Sequence, residues 1–317
     1  MKRLTVFAVL SWLALQVHGT GATVGPMGTG QEPSLERTQA PSADGKLNII
    51  AFGAHPDDCD QRAGGIAAKY AALGHRVRFV AVTNGDAGHQ TEGGGALAAR
   101  RRAEAREAGR RIGIEYIVLD NHDGELLPSL NAREQIIRQI RQWKADLVLA
   151  PRPNDYHPDH RYTGILVQDA AYMVVVPNVA PDTPALRRNP VFMYFQDGFQ
   201  KPNAFSPDIA VAIDDVIEKK IDMMDAHVSQ MYEWLPWVDG TLDKVPRDAA
   251  ARRRWLRDTR VDAPTSAVRA ALIKWYGSEQ GNAARHAEAF EICEYGTRPD
   301  EGAIRKLFPF LPRAPRD

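Results

Sequence analysis

Two clusters of histidine and aspartate contain the residues of this chain that are best suited to chemistry. The first, "AHPDDCD", places His55 and Asp58 three positions apart, and the second, "PRPNDYHPDHR", places His157 and His160 at the same spacing. Two imidazoles and one carboxylate leave coordination positions open on a bound metal, which is the arrangement typical of catalytic zinc. The same donor set also serves non-haem iron, so the spacing indicates a catalytic metal without naming it.

A further carboxylate, Asp57, directly precedes the candidate ligand Asp58 and is not needed to complete the donor set. A carboxylate beside a metal ligand is placed to take a proton from a water molecule that the metal activates. We therefore predict that Asp57 is a general base.

The apolar segments predict how these clusters are positioned. From Leu47 onwards, near-continuous apolar strands such as "LNIIAFGA", "RVRFVAVT" and "DLVLAP" alternate with helical segments such as "NAREQIIRQIRQWKA". This alternation predicts an α/β fold class, with a Rossmann-like, mostly parallel sheet covered by helices on both faces. Ligands bind such sheets beyond the carboxyl ends of the strands. Because "AHPDDCD", "TNGDAGH" and "PRPNDYHPDHR" all follow strands, we expect them to converge there.

The sequence predicts four segments along the chain. Residues 1–19 combine the basic "MKR" with a short apolar run, which is typical of a signal peptide, and residues 20–46 are a Gly-, Pro- and Ser-rich flexible linker. Residues 47–215 are expected to form the α/β catalytic domain, and residues 216–317 a mainly helical C-terminal part packed on the same domain. We expect an exported protein, periplasmic or extracellular, with no transmembrane segment in the mature chain.

Composition excludes some classes of partner. Lys+Arg and Asp+Glu both number 40, so the formal charge is zero and offers no electrostatic case for binding nucleic acid or an anionic membrane. The two cysteines, Cys59 and Cys293, are too few for a disulfide framework, and we expect both to be free thiols. The oligomeric state stays open.

Three motifs resemble the PIG-L superfamily of zinc-dependent de-N-acetylases, which includes the LmbE-like bacterial enzymes. They are "AHPDD" after the first strand, "TNGDAG" after the second and "HPDHR" after a later one, and "RRAEAREAGRRIG" and "KIDMMDAHVSQ" extend the similarity. The resemblance implies a hydrolase that removes an N-acetyl or other N-acyl group from an N-acetylglucosamine-type amino sugar or glycoconjugate. It also implies one Zn²⁺ per chain, although Fe²⁺ fits the same donors.

The resemblance also implies roles for individual residues. The implied zinc ligands are His55, Asp58 and His160. Asp57 would be the general base, and His157 would stabilise the oxyanion or protonate the leaving amine, with Asp159 orienting its ring. Arg101 would help to position the substrate.

Some features leave alternatives open. Cys59 stands where the family usually has a glutamate, and Asp60, one position later, is a candidate to compensate. Trp234 and Trp237 could stack on a sugar ring, but a place in the core or in a subunit contact fits them equally well. The alternatives to a deacetylase are a metalloenzyme of another class on the same ligands and a non-catalytic carbohydrate-binding relative.

Overall fold

A seven-stranded sheet forms the centre of the protein in a computed structural model that describes residues 44–312. The predicted signal peptide and all but the end of the predicted linker lie outside the described residues. The strands are β1 (Asn48–Gly53), β2 (Arg76–Thr83), β3 (Glu115–Asn121), β4 (Leu147–Ala150), β5 (Val191–Phe195), β6 (Ile209–Ala212) and β7 (Ala287–Ile292).

The strand order creates a crevice at the carboxyl-terminal edge of the sheet, where the parallel strands end. The order is β3-β2-β1-β4-β5-β7-β6, and the five strands from β3 to β5 are parallel to one another. The chain leaves β1 towards β2 and β3 and then returns to β4 on the other side of β1. Such a reversal is the point at which open α/β sheets bind ligands. The two histidine clusters follow β1 and β4, the strands on either side of the reversal.

Both faces of the sheet are buried, as the sequence predicts for parallel strands. Along β1, Ile49 and Ala51 contribute to the core on one face, whereas Ile50 and Phe52 contribute to the core on the other. All six residues of β1 are buried. The α/β fold class predicted from the sequence is therefore confirmed.

Helices cover the sheet, and two of them begin at the edge that carries the histidine clusters. The helices are α1 (Asp58–Ala72), α2 (Gly94–Ile112), α3 (Leu130–Trp143), α4 (Pro158–Met173), α5 (Ile217–Ala226), α6 (Leu235–Val238), α7 (Ala249–Arg260), α8 (Ser266–Ala283) and α9 (Glu301–Leu307). Helices α1 and α4 begin within the two histidine clusters. A π-helix over Ser229–Trp234 joins the segment after α5 to α6.

The C-terminal part differs from the expectation in one respect, because it supplies a strand to the sheet. Strand β7 lies between β5 and β6 and runs antiparallel to both. Its Glu288 is buried and accepts hydrogen bonds from the backbone of Gly65 and Ile66 in α1 and from Lys220 in α5. The C-terminal part is thus mainly helical, but it also shares the sheet and the core of the α/β domain.

Across residues 44–312, the helices are all too short or too polar to cross a lipid bilayer.

Candidate metal centre and active site

The loop after β1 is tightly folded around the candidate ligands. The backbone N–H of His55 donates to Asp58 Oδ2 at 2.9 Å, and a Cβ at Gly53 would lie 2.7 Å from the Cβ of Asp58. Asp57 adopts a φ of 147°, a backbone conformation that is strained for any residue other than glycine. The packing of this loop therefore holds Asp57 and Asp58 in place at an energetic cost.

Three donor atoms from the two clusters converge on one point. His55 Nδ1 lies 3.2 Å from His160 Nε2, and Asp58 Oδ2 lies 3.6 Å from each of these nitrogens. Tetrahedral zinc with bonds of about 2.0–2.2 Å requires ligand atoms about 3.3–3.6 Å apart. The donor set predicted from the sequence therefore matches the size and the chemistry of a single catalytic zinc ion.

Carboxylates hold the outer nitrogens of both candidate ligand rings. His55 Nε2 lies 3.1 Å from Asp123 Oδ1 and 3.3 Å from Asp159 Oδ2, and His160 Nδ1 lies 3.1 Å from Asp155 Oδ1. A carboxylate on the outer nitrogen fixes the tautomer and the orientation of a metal-binding imidazole. This arrangement leaves His55 Nδ1 and His160 Nε2 directed at the common point.

The site has more negative than positive fixed charge. Its carboxylates are Asp57, Asp58, Asp123, Asp155 and Asp159, and one guanidinium, that of Arg101, lies among them. Burial lowers the pKa of His55, but the carboxylates around it outweigh burial and raise this pKa well above its usual value. Burial opposes ionisation of Asp58 too, yet His160 and His55 keep its pKa far below the usual range. A divalent cation would balance this excess of carboxylates.

The predicted base Asp57 lies beside the convergence point and is almost fully buried. Its Oδ1 accepts a hydrogen bond from Arg101 Nη2 at 3.0 Å, and its Oδ2 accepts one from Gln61 Nε2 at 3.0 Å. Burial raises the pKa of Asp57 to about 6, although Arg101 opposes this change. A carboxylate with a pKa near neutrality can both accept and return a proton at physiological pH.

The contacts of Arg101 in the structure are with protein groups beside the candidate ligands. Only 2% of this residue is exposed. Its guanidinium donates to Asp57, to the carbonyl oxygens of Pro56 and Gly85, and to Asp123. Because the two Nη groups are bound to protein groups, these contacts favour a role for Arg101 in positioning Asp57, the predicted base. Arg101 also lines the pocket, and a direct contact with substrate stays a prediction.

Asp159 also differs from the expectation. Its carboxylate accepts hydrogen bonds from the backbone N–H groups of Gly124 and Leu126 and lies against His55, so it orients that ring and not His157. The backbone N–H of Asp159 donates to His157 Nδ1 at 3.2 Å, because His157 caps the N-terminus of α4. This hydrogen bond places the proton of a neutral His157 ring on Nε2.

His157 lies beside the candidate ligands, and its ring nitrogen comes within 4.8 Å of those of His55 and His160. Burial and the two neighbouring histidines lower the pKa of His157. Unlike the candidate ligands, it has no carboxylate on an outer nitrogen among the described contacts. These features favour a neutral hydrogen-bond donor over a fourth ligand or a strong acid.

Asp123 and Asp155 lie at the site, but the sequence motifs did not indicate them. Asp123 follows β3 in "NHDG", at the same sheet edge as the other clusters, so its position after a strand was the available signal. Asp155 belongs to "PRPNDYHPDHR" but stands among several polar residues, and nothing in the spacing distinguishes it from a loop residue. Only the fold brings these two carboxylates onto the histidines.

Behind the site, Asp60 takes part in a buried polar cluster away from the donor atoms. Its Oδ2 accepts a hydrogen bond from Tyr116 at 2.9 Å and lies 3.2 Å from His227 Nε2. Cys59 packs in the core, and both cysteines are free, as expected. Asp60 therefore does not replace the missing glutamate at the donor set, and His227 has a buried partner instead of a contact with the pocket.

The three candidate ligands line a pocket of about 570 Å³. The β4 cluster contributes Tyr156, the loop after β5 contributes Phe199, and the C-terminal part contributes Gln230 and Trp234. The second loop, "TNGDAGH", reaches this pocket through Gly88, whereas its neighbour His89 pairs with Glu233 at 2.9 Å. A volume of this size is typical of a small-molecule site.

Comparison with known proteins agrees with this geometry. Residues 50–171 match the PIG-L family, described as GlcNAc-PI de-N-acetylase. This segment begins in β1 and ends within α4, so it contains both histidine clusters. Residues 50–171 are a PIG-L family domain. The family resemblance inferred from the sequence motifs is therefore confirmed.

Solved structures share the fold of this chain. One is N,N'-diacetylchitobiose deacetylase from Pyrococcus horikoshii, at 24% identity and a TM-score of 0.58, covering 78% of this chain and 84% of that one. The conserved protein TT1542 from Thermus thermophilus matches at 22% identity and a TM-score of 0.55, covering 78% and 94%. GalB, the 4-carboxy-2-hydroxymuconate hydratase from Pseudomonas putida, matches at 20% identity and a TM-score of 0.58, covering 80% and 98%. These similarities establish the fold.

Proposed function

We propose that this protein is a zinc-dependent hydrolase that removes the N-acetyl group from an N-acetylglucosamine-type amino sugar or glycoconjugate. The observation that carries the proposal is the convergence of His55 Nδ1, Asp58 Oδ2 and His160 Nε2 at 3.2–3.6 Å, beside the buried carboxylate of Asp57. The PIG-L domain at residues 50–171 supports the same chemistry.

His55, Asp58 and His160 would hold the metal. When bound, zinc supplies Lewis acidity towards a carbonyl oxygen and lowers the pKa of a coordinated water molecule from ~16 towards ~7. Fe²⁺ would fit the same donors, so the identity of the metal is part of the proposal.

The residues around the donor set account for the proton transfers. Asp57, with a pKa of about 6, accepts the proton of the attacking water, and Arg101 holds its Oδ1 in place. The Nε2–H of His157 donates a hydrogen bond to the oxyanion that forms at the amide carbon. Because the pKa of His157 is lowered, we assign to Asp57 the return of the proton to the leaving amine. The products are acetate and a free amine.

The family and the pocket together support this substrate class. The PIG-L family is described by a de-N-acetylase activity on a GlcNAc conjugate, and the P. horikoshii relative acts as a diacetylchitobiose deacetylase. A pocket of about 570 Å³ lined by Tyr156, Phe199 and Trp234 has the size and the aromatic surfaces that a sugar requires.

The experiment is an assay of acetate release from a panel of N-acetylated sugars by the purified protein. We expect release that a chelator abolishes and that added Zn²⁺ restores, with Asp57→Asn as the control for contaminating activity. Because GalB shares the fold and is a hydratase, the fold alone does not set the reaction. A protein that binds metal but releases no acetate from any sugar would contradict the proposal.

We also propose that the protein acts outside the cytoplasm, in the periplasm or beyond it. The basic and apolar character of residues 1–19 supports export. Mass measurement of the mature chain tests this, because export predicts a chain that starts after the apolar segment. An intact Met1 on a cytoplasmic product would contradict it.

A further inference from the structure

Two basic side chains of the C-terminal part are buried against α1, the helix that begins at the candidate ligand Asp58, and the proposed chemistry uses neither. Lys220 lies in α5, and His227 follows seven residues later, directly after the end of α5. Only 5% of Lys220 and none of His227 is exposed. A lysine is almost never buried without a partner, and a buried imidazole costs free energy unless a polar group faces it. The partners of these two residues therefore indicate their task.

Lys220 connects α1 with strand β7. Its Nζ donates to the carbonyl oxygen of Gln61 at 2.7 Å and pairs with Glu288 Oε1 at 2.7 Å. Glu288 in turn accepts the backbone N–H groups of Gly65 and Ile66, both at 2.8 Å. In an α-helix, the carbonyl of residue 61 is the usual acceptor for the N–H of residue 65. The ion pair therefore contacts both ends of one turn of α1 and fixes the backbone of that turn.

The turn that Lys220 holds carries a partner of the predicted base. Gln61 Nε2 donates to Asp57 Oδ2 at 3.0 Å, and the backbone N–H of Gln61 donates to the carbonyl oxygen of Asp57 at 3.1 Å. Asp57 has the strained φ of 147°, and a residue keeps such a conformation only where several contacts around it enforce it. Gln61 supplies two of these contacts. The position of Lys220 is thus passed to Asp57 through a single residue.

His227 holds the same helix one residue earlier. Its Nε2 lies 3.2 Å from Asp60 Oδ2, and the same oxygen accepts the hydroxyl of Tyr116 at 2.9 Å. Asp60 belongs to the first turn of α1, between Asp58 and Gln61. Because Asp60 and His227 are both completely buried, water cannot take the place of either partner. The first turn of α1 is therefore held from the end of α5 as well as from β3.

We propose that Lys220 and His227 are positioning residues for the candidate metal centre. Together they fix the first two turns of α1. This fixes the carboxylate of Asp58 at the start of the helix and that of Asp57 directly before it.

The two residues act through other side chains. Within the described part of the chain, neither of them lines the pocket, and their contacts reach the site through Asp60 and Gln61. Both lie in "KIDMMDAHVSQ", which is outside the matched segment 50–171, so the proposal gives this motif a task. The inference rests on the proposed function for the role of Asp57 as a base, whereas its effect on metal binding does not.

The test measures metal binding and turnover in matched variants of the full chain. Zn²⁺ affinity is measured by competition with a chromophoric chelator, and kcat and KM by acetate release from the best substrate of the sugar panel. Lys220→Met and His227→Leu remove the polar contacts, whereas Lys220→Arg and His227→Gln are the conservative variants. Lys219→Met, the same change at the adjacent exposed position of α5, is the matched control.

We expect Lys220→Met and His227→Leu each to lower Zn²⁺ affinity and kcat by about tenfold, the range seen when a group that orients metal ligands is removed. KM should change little, because the pocket walls stay in place. Lys220→Arg and His227→Gln should recover part of both losses, and Lys219→Met should change neither quantity. Co²⁺ bound in place of zinc should show an altered visible spectrum in Lys220→Met and His227→Leu, but not in Lys219→Met.

A double-mutant cycle tests the route from Lys220 to the base. If Lys220 acts through Gln61, Gln61→Ala and Lys220→Met remove the same support of Asp57. The double variant should then lose kcat by no more than the larger of the two single effects. Effects that multiply would show that Lys220 does not act through Gln61 and would overturn this route.

Stability measurements separate positioning from a general loss of folding. Removing one partner of a buried ion pair is strongly destabilising, so each variant is assayed well below its own melting temperature. Ile221→Ala, at a position of α5 that packs in another core cluster with Leu256, is the control for destabilisation alone. If Lys220→Met does not fold, Lys220→Met/Glu288→Gln, which removes both charges together, takes its place.

The outcomes distinguish this inference from the proposed function. If the sugar panel yields no acetate but Zn²⁺ affinity falls in Lys220→Met and not in Lys219→Met, the proposed function fails and the positioning role stands. Folded Lys220 and His227 variants with wild-type Zn²⁺ affinity and kcat would overturn the inference. Losses of the same size in Ile221→Ala would overturn it too.

Discussion

His157 provides the sharpest test of the site, because its imidazole has two separable tasks. Its Nδ1 accepts the backbone N–H of Asp159 and caps α4, and its Nε2–H is free to donate to an oxyanion. His157→Asn keeps an acceptor at the cap, since asparagine is among the preferred N-cap residues, but it removes the imidazole. His157→Ala removes both functions.

The two variants should therefore differ in stability but not in catalysis. Loss of an N-cap costs about 1 kcal/mol, which lowers the melting temperature of a domain of this size by roughly 2–4 °C. Loss of one oxyanion donor costs about 10²–10³ in kcat. We expect His157→Asn to melt close to the wild type and His157→Ala to melt a few degrees lower. Both should lose kcat by a similar factor, with a much smaller change in KM.

The assays are thermal unfolding, metal analysis and acetate release on the same preparations. Zinc should stay bound in both variants, because the three converging donor atoms do not include His157. Loss of zinc from His157→Asn would show that this histidine is a ligand, and turnover close to wild type would show that the oxyanion has another donor. Either result would refute the assignment of His157.

Substitutions at four other positions test the remaining roles. His160→Ala should lose metal and activity together, and full metal occupancy in that variant would contradict the ligand assignment. Asp57→Asn should keep the metal, by elemental analysis, but lose most turnover, whereas Asp58→Asn should also weaken metal binding. Arg101→Met should let the pKa of Asp57 rise above about 6, since Arg101 now holds it down against burial. Because the base acts when ionised, the acid limb of the pH–rate profile should move to higher pH, and Arg101→Lys should move it less; an unchanged limb would contradict this link.

The sequence was sufficient to predict the part of the sheet that carries the site. Apolar runs with helical segments between them located β1, β2 and β4, and motif positions after these strands predicted the edge at which the site forms. Strand β7 escaped prediction because "AEAFEI" has its two glutamates three positions apart, without the alternation typical of a strand, and lies in a region predicted to be mainly helical. Its Glu288 is buried against Lys220 and the backbone of α1, a partnership that only the fold creates.

At the site, the residue types and their spacing predicted which side chains come together, but not how these side chains are oriented. The spacing of His55, Asp58 and His160 was enough to nominate them, because each follows or begins an element at the same edge. The partners of their outer nitrogens come from other loops, so no local pattern indicates Asp123 for His55. Asp159 likewise lies two positions from His157 in sequence, yet the start of α4 directs its carboxylate to His55 and its backbone N–H to His157.

The "TNGDAG" motif shows how a loop can serve the chemistry without supplying a candidate ligand. A Cβ at Gly85 would lie 2.6 Å from Arg101 Nη1, and one at Gly88 would lie 2.8 Å from the same atom. The two glycines therefore leave the space that the Arg101 guanidinium fills, and Gly85 also has a φ of +73° that side chains rarely adopt. Arg101 in turn donates to Asp57 at 3.0 Å and opposes the rise of its pKa. The second loop therefore influences the position and the pKa of the predicted base. The glycines of "TNGDAG" are thus needed to position the carboxylate of Asp57, which belongs to a different loop.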